Sequence, residues 1–450
     1  MRLRTRLLFY LFFALVATLA LNALTSKFFD QERVIVLAPE KEVVPISSQT
    51  AIQVIVSSTS SEPLIIFGTS TQVSVREPVR AKIYSDIEPQ APLGSPPAQI
   101  KAIYATGWSA GNPKKIKYFI DLIKTTELNA IVIDIKDFSG YVLYNTELKE
   151  VRDYNGVEVR IPRLNALIKQ FHDEGIYVIA RIAVFQDPRL ALARRDLALQ
   201  SARAQSVWKD KLGLAWIDPA ARESWDYNIA IAKEALGRGF DEINFDYIRF
   251  ASDGDLSDII YPVWDKKISR REVIKNFFAY LRSELPEARI SADLFGLVTV
   301  AQDDLGIGQL LETALPYFDY IAPMVYPSHY ESGFLNFKNP AKFPYQVIVH
   351  SLTTAISRFG NYEKNYLALS QSTTTPPDKI PREPIAKFRP WLQDFDLGAD
   401  YNAEMVKKEI QAVYDGASTT PELLDGWMLW NPANVYTKGA LLEEPLATGN

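Results

Sequence analysis

From about residue 100 onward, strand-like apolar runs alternate with helix-like amphipathic segments, and this alternation constrains the fold more than any other feature. The strand-like runs are Ala102–Trp108, Ala130–Lys136, Tyr177–Val184, Glu242–Phe250, Arg289–Phe295, Tyr320–Tyr326, Phe388–Gln393 and Gly426–Trp430. Helices fit between them, as at Pro113–Thr126, Pro162–Glu174, Ala220–Leu236 and Arg270–Glu284. Their starts carry helix-opening signals such as Pro113, Pro162 and the Asp218-Pro219 pair. Eight such runs predict an α/β fold, a (β/α)8 TIM barrel with insertions. The competing doubly wound sheet would place a glycine-rich phosphate loop after its first strand. Gly107-Trp-Ser-Ala-Gly-Asn112 lacks that pattern. Two inserts, Lys149–Arg160 and Asn361–Lys387, read as surface loops.

The N-terminal part has a different texture. Met1-Arg-Leu-Arg-Thr-Arg6 precedes an apolar run from Leu7 to Leu24. Basic residues before an uncharged stretch of roughly 18 residues match a signal peptide or signal anchor. The run is longer than a cleaved core of about 7–15 residues, which favours an uncleaved anchor. The expected layout is a membrane segment over 1–28, an extended stalk, β-rich or disordered, over 29–98, and the barrel over 99–445. Glu88–Pro97 is proline-rich and reads as a linker. Arginines on the cytoplasmic side send the rest outward, so the barrel is expected to be extracytoplasmic, membrane-anchored or secreted after cleavage.

Composition narrows the chemistry. Among 450 residues there is no cysteine, so disulfides, thiolate metal sites and cysteine nucleophiles are excluded. The histidines are His172, His329 and His350, with no pair at metal-ligand spacing, which argues against a zinc site and a Ser-His-Asp triad. A net charge of -5 offers no basic stripe for nucleic acid. Aromatic residues make up 12% of the chain, enough to supply flat faces for sugar rings as well as a large core.

In a TIM barrel, functional groups gather at the C-terminal strand ends. Candidates recur there: Asp134 and Asp137 on the second strand, Arg181 on the third, Asn244, Asp246 and Arg249 on the fourth, and Asp293 on the fifth. Tyr326, Gln393, Asp394, Trp427 and Trp430 follow on the last three strands. Alternation puts Glu242, Asn244 and Asp246 on one face, toward the lumen. Asp246 there needs a cation, which Arg181 or Arg249 can supply. Paired carboxylates are what glycoside hydrolysis uses, one as acid and one as nucleophile or stabiliser. Asp246 beside arginine suits the charged role, and Asp293 between Ala292 and Leu294-Phe295 suits the acid. Trp108, Tyr326, Trp391, Trp427 and Trp430 are candidate sugar platforms.

Residues 100 to about 440 also resemble a bacterial domain family of glycoside-hydrolase-type barrels, in the broad superfamily of α-amylases and α-galactosidases. The resemblance rests on Lys101-Ala-Ile-Tyr-Ala-Thr-Gly-Trp108, Asn129-Ala-Ile-Val-Ile-Asp-Ile-Lys-Asp137, Ile179-Ala-Arg-Ile182 and Phe240-Asp-Glu-Ile-Asn-Phe-Asp-Tyr-Ile-Arg-Phe250. Ile321-Ala-Pro-Met-Val-Tyr-Pro327, Arg389-Pro-Trp-Leu-Gln-Asp394 and Gly426-Trp-Met-Leu-Trp-Asn431 complete it. It implies a TIM barrel and carbohydrate hydrolysis without a metal or cofactor. In related clans the strand-four aspartate is the nucleophile, which maps to Asp246. The acid stands on strand five or six, and strand six here offers Tyr326 rather than a carboxylate, leaving Asp293. The implied partner is a polysaccharide or oligosaccharide. A non-catalytic glycan-binding barrel is the alternative. A third reading has Asp134, Asp137 and Asp293 hold a hard cation through oxygen ligands.

Overall fold

The computed structural model describes residues 85–443. The expected membrane segment and most of the stalk lie outside the described residues. Among the described residues no helix is long and apolar enough to cross a membrane.

Eight strands form the barrel: β1 (Ile100–Ala105), β2 (Ala130–Lys136), β3 (Tyr177–Ala183), β4 (Glu242–Asp246), β5 (Ile290–Phe295), β6 (Tyr320–Met324), β7 (Trp391–Gln393) and β8 (Gly426–Trp430). Neighbours pair in parallel around the circle, and β1 closes it by pairing with both β2 and β8. Closure needs glycine at position 426. Its φ is +95°, and a Cβ there would lie 2.0 Å from the Ile100 carbonyl oxygen. The connections carry α1 (Pro113–Lys124), α2 (Leu164–His172), α3 (Arg222–Arg238), α4 (Arg270–Glu284), α5 (Pro344–Ser370) and α6 (Ala403–Gly416). The link from β5 to β6 has a 3-10 helix, Gly296–Thr299, and the short α-helix Leu311–Ala314.

Strand alternation divides the apolar residues into two layers. Ile131, Ile133 and Ile135 of β2, with Ile243 and Phe245 of β4, face outward into the layer beneath the helices. Ile100, Ala102, Tyr104, Val132, Ile179 and Met428 face inward, into a separate cluster inside the barrel. The amphipathic helices bury the matching stripe: Phe119, Leu122 and Ile123 of α1, and Val273, Ile274, Phe277 and Leu281 of α4.

Charged groups floor the lumen. Arg389 Nη1 donates to both carboxylate oxygens of Glu242, at 2.9 and 3.0 Å, and Nη2 donates to Asp425 at 2.8 Å. Ser291 Oγ donates to Glu242 at 2.6 Å. Arg389 also splits the seventh strand. Lys387–Phe388 pairs with β6, Arg389-Pro390 breaks the ladder because proline has no N–H, and the chain resumes as Trp391–Gln393.

Both expected loops are more ordered than their composition suggests. Lys149–Arg160 contains a helical turn, Lys149–Asp153, and most of the strand Val157–Ile161, which pairs with Val142–Tyr144. The alternation in Val157-Glu-Val-Arg-Ile161 is the reason. The first ten residues of Asn361–Lys387 continue α5, since proline does not appear until Pro376. The proline-rich stretch from Glu88 to Pro97 is likewise not a free linker. Asp86 accepts from the amides of Asn165 and Ala166 at 2.7 and 3.1 Å. The Gln90 amide bonds to the Arg238 carbonyl at 3.0 Å, and the Leu93 amide to Asp241 at 2.6 Å. Leu93 packs against the inner cluster at the N-terminal end of the barrel.

Replacing Arg389 with methionine strands two buried carboxylates. R389M is expected to lose about 3–5 kcal/mol of unfolding free energy, the usual consequence of breaking a buried ion network. Urea denaturation of both proteins at neutral pH measures it. A loss under about 1 kcal/mol would show that the floor is not held by this pair.

Candidate active site

Three acidic strand residues converge on one guanidinium. Register sets Asp134 of β2 beside Arg181 of β3, and Arg181 beside Asn244 of β4. Pairing of Ala292 with Phe245 carries Asp293 of β5 to the level of Asp246. Arg181 Nη1 donates to Asp134 at 2.6 Å, Nη2 donates to Asp246, and Nε stands 3.5 Å from Asp293 Oδ2. All four side chains are buried; Asp246 is 6% exposed and Asp293 1%.

The surrounding groups hold each carboxyl in place. Tyr104 OH donates to the second oxygen of Asp134. Asp293 Oδ1 accepts from Trp391 Nε1 at 2.7 Å and from Asn244 Nδ2 at 2.9 Å. Asp246 accepts from the Tyr247 backbone amide at 2.5 Å. Tyr247 itself sits at φ +54°, a conformation rare for an aromatic residue and common where function constrains the backbone. Above the carboxyls, Tyr104 stacks on Trp430 with centroids 3.9 Å apart, and Trp430 is only half-buried.

Three acids share one cation, so they do not all ionise alike. Burial pushes the Asp293 carboxyl up to about 8, helped by the charge of Asp246 and opposed by Arg181. Burial raises Asp134 to about 6, again opposed by Arg181. Oδ1 of Asp293 is taken by two donors, while Oδ2 faces Arg181 Nε at 3.5 Å. Arg181 Nε and Asn244 Oδ1 have no hydrogen-bond partner. Asp246 accepts from the Arg181 guanidinium and the Tyr247 amide.

The other expected site residues divide between the lumen, its rim and the frame. Tyr326 lies in the lumen, where burial and the charges of Asp293 and Asp246 raise its hydroxyl well above the ordinary range. Trp391 is fully buried and serves Asp293 as a donor rather than offering a free face. Trp427 faces the opposite way from Trp430, within the outer layer, with its indole N–H on Tyr414 of α6 at 3.2 Å. It is therefore no platform. Gln393 ties loops: its side chain bonds the Ser328 amide and the Phe395 carbonyl. Asp394 accepts from the Thr437 amide and hydroxyl, and burial raises it to about 6. Asp137 pairs with Arg160, 2.5 Å away, while Asp134 and Asp293 face Arg181. Among the described residues no group of acidic or histidine side chains fits a metal ion. Trp108 stands 60% exposed after β1, under the Arg160 guanidinium at 4.6 Å. Arg249 does not pair with Asp246; Arg181 takes that place. Tyr104 and Arg389 complete the interior without having been singled out from sequence. The parity of Tyr104 with Ile100 and Ala102 is the signal that could have found it.

Residues 102–436 match the family model described as "Putative glycosyl hydrolase domain". A hypothetical protein from Ruminiclostridium thermocellum ATCC 27405 is 37% identical over 46% of this chain and 98% of its own, with a TM-score of 0.40. The PgaB (BpsB) glycoside hydrolase domain from Bordetella bronchiseptica is 13% identical over 77% of this chain and 99% of its own, with a TM-score of 0.51, a likeness of fold. An α-galactosidase from Thermus thermophilus is 13% identical over 77% of this chain and 60% of its own, with a TM-score of 0.42. Among curated proteins no match to the chain was found.

The raised Asp293 carboxyl has a thermodynamic signature. Its contribution to stability is complete below about pH 4, where unfolded aspartates titrate, and is lost as pH rises through about 8. D293N stays neutral throughout. Its Tm relative to the native protein is expected to rise by several degrees between about pH 5 and about pH 8.5. Calorimetry at the two pH values tests this; an unchanged difference would place the proton elsewhere.

Proposed function

The chain belongs to this glycosyl hydrolase domain family, and on that premise we propose that the barrel cleaves a glycosidic bond in cell-envelope or extracellular polysaccharide. Asp293 acts as the acid that protonates the leaving oxygen. Asp246 supplies the negative charge at the anomeric carbon, where positive charge develops as the bond to that oxygen breaks. The observation carrying this reading is the single Arg181 guanidinium facing both carboxyls, one of which keeps its proton at neutral pH. Arg181 holds the anion in place, while Asn244 and Trp391 hold the acid by its Oδ1. The half-buried Trp430, backed by Tyr104, offers a ring face at the lumen entrance, and Trp108 offers a second on the rim. The location that goes with this reading is extracytoplasmic, on the strength of the arginine-flanked apolar run Leu7–Leu24.

A second reading, a barrel that binds glycan without cleaving it, draws on the depth of Asp293, at 1% exposure. Turnover separates the two. D246N and D293N are each expected to lower hydrolysis of a cleavable polysaccharide by about 10²–10⁴-fold with the circular dichroism spectrum unchanged. Reducing-end release from a panel of bacterial polysaccharides is the readout. Full activity in D246N would remove Asp246 from the chemistry. Binding without turnover in the native protein would favour the second reading.

A further inference from the structure

Four arginines are buried among the described residues: Arg181, Arg249, Arg358 and Arg389. Three of them face carboxylates: Arg181 the strand-tip aspartates, Arg358 Glu312, and Arg389 Glu242 and Asp425. Arg249 faces none within ion-pair distance among the described residues. The three aspartates whose charge acts on it have partners elsewhere. Asp246 is on Arg181, Asp210 holds Gln186 and the Trp216 indole, and Asp253 accepts from the Lys211 amide.

The guanidinium lies past the end of β4, 7% exposed, among the rings of Phe295 at 4.6 Å, Trp216 at 4.8 Å and Tyr247 at 5.5 Å. Only Nη1 is bonded, to the Phe250 carbonyl at 3.1 Å and the Ser252 hydroxyl at 2.9 Å. Nε and Nη2 make no hydrogen bond to the protein, and neither belongs to the sealed-off, unpartnered atoms of the interior. That leaves one edge of the fork open, the edge that takes an oxyanion side-on through two parallel N–H bonds. Burial without a counter-ion pulls this guanidinium below its ordinary range, the reverse of what happens to Arg181. A cation in an aromatic cage with a free fork is costly alone and is relieved by an incoming anion.

We propose that Arg249 recognises an anionic substituent on the glycan, and that the preferred substrate carries the carboxylate of a uronic acid. This rests on the glycosidase reading and names its substrate class. A planar carboxylate matches the Nε–Nη2 edge, and the flanking Phe295 and Tyr247 rings, both half-buried, bracket the sugar that bears it. A sulfate ester presents related oxyanion chemistry, and the test separates the two.

The test is calorimetric binding to D246N of oligogalacturonate, oligoglucuronate and alginate oligosaccharides, their carboxyl-reduced neutral counterparts, and a sulfated neutral oligosaccharide. At least one uronate is expected to bind ten-fold or more tighter than its reduced form and than the sulfated sugar. Adding R249M is expected to erase that preference, and R249K to restore part of it. Equal affinity for charged and neutral forms overturns the proposal, as does a preference that survives R249M or an absence of binding to every probe. Tighter binding of the sulfated sugar overturns the uronate assignment. Native-protein turnover is scored separately. Cleavage of neutral glycans with no uronate preference sinks this proposal and leaves the glycosidase standing; uronate preference without any cleavage does the reverse.

Discussion

Arg181 is the cation that three acidic strand tips share, and the upper half of the lumen is built around keeping it neutralised. Its removal would leave Asp134, Asp246 and Asp293 facing one another with no counter-charge, at a cost of several kcal/mol for each ion kept away from water. The excess of acids over cations is equally consequential. One positive charge does not balance three negative ones in a dry interior, so the least solvated carboxyl keeps its proton. The raised Asp293 carboxyl thus follows from burial and charge balance, before any substrate is considered.

Two ion networks stack along the barrel axis, and they differ in kind. The lower one, Glu242–Arg389–Asp425, has every group enclosed and paired, with Ser291 filling a remaining acceptor. The upper one leaves Arg181 Nε and Asn244 Oδ1 without partners. A finished network holds a fold together. An unfinished one keeps unsatisfied polar atoms in the interior, a cost the rest of the fold offsets. Ser291 and Asn244 link the two, since Asn244 donates to both Ser291 and Asp293.

Much of this was legible in the sequence, for identifiable reasons. Period-two alternation assigned Asn244 and Asp246 to the lumen because Ile243 and Phe245 between them are strongly apolar. The same argument failed at Trp427 and Trp430. Both faces of a strand buried in a parallel barrel are apolar, and only pairing with β7 decides which indole points inward. Arg389 was hidden for another reason. Its partner Glu242 stands 147 residues away, and local pattern carries no trace of such a pairing. The choice between Arg181 and Arg249 as the cation for Asp246 likewise needed register. Glu88–Pro97 looked like a tether because proline content reports local stiffness, not the bond from the Leu93 amide to Asp241, 148 residues on.

That docked segment has a consequence for traffic. Leu93 and the ionic floor stop up the N-terminal end of the barrel, which makes the lumen a cup, not a tube. On the glycosidase reading proposed above, a glycan would have one way in, and any fragment would leave past Trp430 by that same way, so departure and arrival would compete for one doorway.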